Sequence, residues 1–170
     1  MLYDLTVVQF SKMLTNLSAI LDKANGFADG KKIDMAVLLN ARLAPDQFTL
    51  TRQVQIACDT AKLAVARLVD QADAAPKHDD SETTVAQLQE RIQSVLDYLA
   101  SFSEADFANA ATSTITQPRW AGKHMVGEDF AIHHAIPNIY FHITTAYAIL
   151  RHNGVEVGKK DYLGAMPLRD

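Results

Sequence analysis

One cysteine, Cys58, stands in 170 residues. A lone thiol excludes an internal disulfide and any zinc site built on paired cysteines. It lies between Ala57 and Asp59 with no basic residue close in sequence, the setting of a small core residue rather than of an activated nucleophile. An excess of one charge is lacking too: 16 Lys and Arg against 20 Asp and Glu leave a net charge of −4. That balance excludes a protein that coats a polyanion, so no nucleic-acid partner is expected. The opening stretch "MLYDLTVVQFSKML" has no basic flank and no small-residue cleavage site, and Asp4 interrupts it. We therefore expect neither a signal peptide nor a membrane span, and a cytoplasmic protein.

What the chain has is a hydrophobic fraction of 48%, enough for a continuous core, and we expect one domain over 1–170. Leu2, Leu5, Phe10, Met13, Leu14, Leu17, Ile20 and Leu21 recur at three- and four-residue steps and predict a helix over 2–25, closed by Gly26 and Gly30. "IDMAVLLNARL" reads as a short helix or turn before Pro45. A second helix is predicted over 47–74, with Val54, Ala57, Cys58, Ala61, Val65 and Leu68 on its core face and Gln55, Asp59 and Lys62 on a solvated one. "AAPKHDDSE" is a polar loop in which His78 is exposed. Thr84 and Gln87, spaced as a capping box, begin a third helix over 84–102.

Between helices three and four lies a long crossover, "SEADFANAATSTITQPRWAGKHMVGEDF", with a β-favouring "STIT" and with Trp120 and His124 inside it. Loops of this length in compact domains often act as lids. The fourth helix, 128–153, contains Pro137, which either kinks it or restarts it, and ends at Gly154. The tail is expected to pack along the other helices. Four long amphipathic helices, with no repeat and no strand–helix–strand alternation, predict an all-α, up-down four-helix bundle with one long crossover.

The stretches "RQVQIACDTAK", "PNIYFHITTAYAILRHNGVEVGKKDYLG" and "ARLAPD" resemble a bacterial family of unknown function grouped with the DinB/YfiT-like four-helix bundles. The resemblance covers nearly the whole chain. It implies a site in which one histidine of helix two and an HxxxH pair of helix four hold a divalent ion, zinc or nickel, and it implies homodimers. Some relatives are thiol-dependent transferases or isomerases. In this sequence His142 matches the second histidine of the pair, but Asn138 stands four residues before it, and helix two has no histidine, only Gln53, Gln55 and Asp59. Amide oxygens are poor ligands for such metals beside imidazole, so no metal or other cofactor is expected. An alternative set, His124, His134 and His142, would need the Pro137 kink to gather it.

Asn138, His142, Thr145, Ala146 and Ile149 share one side of an ideal helix, so the amide and the imidazole face the core and need partners. Left unpaired, each would cost about 1–3 kcal/mol. They are either structurally satisfied or the floor of a ligand pocket, and the candidate pocket residues are Asn138, His142, Trp120, Asp59 and Gln53. Three readings follow. The first is a small-molecule-binding or vestigial-site protein whose pocket is closed by the Trp120 loop. The second is a metal- or thiol-dependent transferase or hydrolase with His142 as ligand or general base. The third is a dimeric interaction protein, for which Ile56 and Leu63, off the core stripe of helix two, offer surface.

Overall fold

A computed structural model of the chain, describing residues 1–169, is mostly helical with one short hairpin. A wide π-helical turn, Asp4–Val8, leads into α1, Gln9–Lys31. The helix thus runs past both Gly26 and Gly30, where the sequence pattern predicted its end. Ala24 and Ala28 continue the buried stripe of α1 there, and both glycines face open space, so packing outweighs the roughly 1 kcal/mol that glycine costs in a helix. Lys32, at φ 54°, makes the left-handed stop instead.

After the short α2, Met35–Leu39, capped by Asp34, comes α3, Leu50–Leu68, whose first turn is capped by the Thr49 hydroxyl. It ends six residues before the predicted limit. Asp70 takes φ 57° and the Gln71 amide returns to the Ala66 carbonyl, a closure that needs no glycine and so left no mark in the pattern. Helix α4, Val85–Ala100, has the predicted Thr84–Gln87 capping box, with both hydrogen bonds formed.

The crossover is ordered by the "STIT" segment. β1, Thr114–Thr116, pairs antiparallel with β2, His124–Val126, and Trp120 lies in the turn between them. Gly127 closes the hairpin where a Cβ would stand 1.8 Å from the Ala110 carbonyl oxygen, so only glycine fits the approach. A helical turn α5, Gly127–Phe130, and a π-helical turn, Ala131–Ala135, then lead into α6, Ile136–His152. Pro137 falls in the first turn of α6, directly after the register change, where its missing N–H breaks no ladder. α6 stops at Asn153 and Gly154, the latter at φ 92°.

The four long helices make a closed circuit of contacts: α1 packs on α4 and α6, and α3 packs on α4 and, most extensively, on α6. Their inward stripes form one connected core that includes Phe10, Leu14, Val54, Leu88, Ile143 and Ile149. The tail packs back as expected. Val155 and Val157 are buried, and α7, Lys159–Leu163, is tied to α1 by Lys23 to Asp161 at 2.6 Å and by Asn16 to the Tyr162 carbonyl at 3.0 Å.

Candidate functional site

The polar pair of α6 is satisfied by α3. Gln53 Nε2 donates to the Phe48 carbonyl at 3.3 Å, which turns its Oε1 toward His142, and His142 Nδ1 donates to that oxygen at 2.7 Å. The imidazole is 7% exposed. Burial first, and the nearby Arg52 charge second, push its pKa down to about 4, so at neutral pH it is uncharged with the proton on Nδ1. Four residues earlier, Asn138 Nδ2 donates to Thr60 Oγ1 at 2.9 Å. Two side-chain bonds thus clamp the most intimate helix contact in the molecule.

A cavity of about 300 Å³ opens beside this clamp, between α3, the turn leading into α6, and the crossover. Asn138 and Asp59, both singled out from the sequence, line it, while His142 and Gln53 do not. Ile56 and Leu63 do as well, so the aliphatics that looked like free surface are cavity wall. Trp120 stands just behind. Its ring meets Phe130 edge-on at 6.2 Å and His134 at 5.7 Å, and both of those residues line the cavity. His134 lies flat on Phe130, 5.3 Å between centroids, and accepts from Arg119 Nη2 at 2.5 Å through Nε2. Burial, then the Arg119 and Arg67 charges, hold its pKa below the ordinary histidine value.

Next to the cavity, and joined to it through Asp59, the polar face of α3 predicted to be solvated is instead the seat of a charge network. Lys62 and Gln55 are 4% and 3% exposed, and Arg91, on the core-facing side of α4, is 3% exposed. Arg91 bridges Asp59 at 2.8 Å, Asp80 at 2.7 Å and Glu82 at 2.9 Å, while Lys62 holds Asp59 at 2.8 Å and meets His78 Nδ1 at 2.8 Å. His78 is therefore half-buried and pinned, not free in the loop, and burial followed by the Lys62 charge lowers its pKa. Partial burial works against the charges of Asp80 and Glu82, but hydrogen bonds from Arg91, joined by Arg52 at Asp80, outweigh it and lower both carboxyl pKa values. One signal could have revealed this. Arg91 sits three residues after Leu88 and four before Val95, a core position, and the complementary acids stand in the preceding loop.

Cys58 is fully enclosed and burial pushes its thiol up to about 12, which removes it from nucleophilic chemistry. The superfamily metal does not fit the groups at its positions. The His142 ring nitrogen Nδ1 is committed to Gln53, the residue facing it from α3 is that same amide, and Asn138 is tied to Thr60. His124 is exposed on β2, His134 is stacked on Phe130 and His142 is bonded to α3, so the second histidine set is not brought together. Among the described residues no group of three or more His, Cys, Asp or Glu is positioned to hold a metal ion.

Comparison with known proteins agrees with this architecture. Among curated proteins none matches the chain. A solved structure of a DinB family member protein from Shewanella denitrificans superposes with a TM-score of 0.97 at 75% sequence identity, over 100% of this chain and 96% of that one. The fold is thus shared with a DinB family structure, and residues 2–163 match the model for a domain of unknown function, DUF1993, the family to which this chain belongs.

Proposed function

We propose that this member of the family is a small-molecule-binding protein, its four long helices arranged as an up-down bundle in one domain and its pocket the cavity beside Asn138. The observation that carries the reading is the make-up of that cavity: apolar Ile56, Leu63 and Phe130 line it together with polar Asp59, Thr60 and Asn138. Apolar surface with a few fixed polar groups is the usual composition of a ligand site. Trp120, the single tryptophan, packs against two residues of the wall and reports on it.

The test is a panel of small acids, neutral amides and thiols, followed by melting temperature and Trp120 fluorescence. Binding raises the melting temperature and shifts the emission of Trp120; a panel without effect on either quantity overturns the reading. The metal- or thiol-dependent transferase reading has weaker support, because its donor set is one imidazole and two amides. Elemental analysis decides it. We expect no stoichiometric metal, and about one zinc or nickel per chain, lost in His142→Ala, would put the enzyme reading first.

A further inference from the structure

Two cations on the wall of the cavity have no anion. Arg67 reaches it from α3, half-buried, and Arg119 from the crossover, and neither makes an ion pair among the described residues. They are close enough for the Arg119 charge, after burial, to lower the pKa of Arg67. Like charges turned toward one space are costly unless something negative occupies it. The carboxylate on the same wall, Asp59, does not serve, since Lys62 and Arg91 already hold it. Arg119 is fixed in place by its bond to the neutral His134.

A second observation points the same way. Gln117 is 9% exposed, and its Nε2 is enclosed without a hydrogen-bond partner. An orphaned buried donor costs about 1–3 kcal/mol, and Gln117 is one of the residues that line the cavity, so a ligand there is within reach as its acceptor. The apolar part of the wall, Ile56, Leu63 and Phe130, offers nothing to a fully hydrated ion but suits a hydrocarbon body.

We propose that the cavity takes a small monocarboxylate, its carboxylate between the guanidiniums of Arg67 and Arg119 with Gln117 as neutral donor, and its apolar body against Ile56, Leu63 and Phe130. This rests on the small-molecule reading above and adds the ligand class to it. The apolar side chains that line the same cavity favour a carboxylate carrying a hydrocarbon body over a phosphoryl dianion. The volume of about 300 Å³ lies at the small end of ligand pockets and suits a body the size of one ring or a short alkyl chain.

The experiment titrates the protein with propionate, benzoate and phenylacetate, with the matching neutral amides, and with inorganic phosphate, reading Trp120 fluorescence and melting temperature. A carboxylate is expected to bind at least about tenfold more tightly than its amide, and Arg119→Gln and Arg67→Met each to weaken it about tenfold or more, the measure of a lost charged hydrogen bond. Arg119 is exposed, so its variant folds even if the Arg67 one does not. Amides that bind as well as acids, or variants that leave the acid's affinity unchanged, overturn the carboxylate assignment while the pocket stands. Phosphate binding more tightly than any of the acids overturns it in favour of a phosphoryl ligand. No binding by any of the compounds overturns both this inference and the small-molecule reading.

Discussion

His142 carries a titration that follows from its partner and its burial. Its folded pKa of about 4 lies below the unfolded value near 6.5, so the folded state favours the neutral imidazole. Between those values the unfolded chain binds the extra proton. Stability is therefore fully present above about pH 6.5 and is lost as pH falls toward 4, by up to about 3 kcal/mol from this group. His78 and His134, also depressed, add in the same direction. Urea midpoints at pH 7.5 and 5.0 should differ markedly in the wild type and by less in His142→Gln; an unchanged pH dependence in the variant would remove His142 as the cause. Arg91 is the other residue with a large stake. Arg91→Met leaves Asp59, Asp80 and Glu82 around an apolar side chain, and because those carboxylates are 29%, 37% and 11% exposed water screens part of the loss, which we put at about 1–3 kcal/mol. We expect urea unfolding to show that loss and limited proteolysis to cut the 69–84 loop faster, while equal stability would mean that the network contributes nothing net.

At the scale of elements, two glycines have opposite predicted responses to alanine, and each is decided by what surrounds it. Gly26 lies inside α1 with nothing within 4 Å of a built Cβ, so Gly26→Ala should stabilise the protein by about 0.5–1 kcal/mol through helix propensity alone. Gly127 joins β2 to α5 with the Ala110 carbonyl oxygen 1.8 Å and Ser113 Oγ 2.7 Å from the same position. Backbone blocks the way, so Gly127→Ala should cost about 1–3 kcal/mol or more and loosen the hairpin that carries Arg119 toward the cavity. Chemical denaturation of both variants checks the signs, and a destabilised Gly26→Ala together with a neutral Gly127→Ala would contradict the packing described here. The hairpin itself shows how an element becomes legible: "STIT" announced a strand by its β-branched residues, but the pairing partner "HMV" carries no comparable signal.

For the whole molecule, exposed apolar surface bears on association. No described helix is long and apolar enough to cross a membrane, yet large apolar side chains stand exposed, among them Phe141 at 56%, Val8 at 50% and Ile132 at 47%. Ile56 and Leu63, which first suggested a dimer, are spent on the cavity wall, so the case now rests on these residues of α6 and the π-helical turns. We propose a homodimer and expect sedimentation at micromolar concentration to give twice the chain mass, with Phe141→Ser shifting the equilibrium to monomer. A wild type that sediments as monomer alone would count against it.

The helices were determined by the sequence itself, because an apolar stripe at three- and four-residue steps and a capping box act within one turn of the chain: Leu88 to Leu99 and Thr84 with Gln87 needed no partner to be read. The same local pattern showed that Asn138 and His142 face inward. What satisfies them, Thr60 and Gln53, lies 78 and 89 residues away, and such a distance is closed only when α3 and α6 pack. Helix ends were misjudged where a non-glycine residue, Lys32 or Asp70, adopts the left-handed turn, since the local closures of Ile33 on the Ala28 carbonyl and Gln71 on the Ala66 carbonyl form there without the glycine that would mark them. Arg67 and Arg119 are 52 positions apart and look like ordinary surface charges in the sequence; only the folding of the crossover against α3 sets them on one cavity wall, without a counter-ion.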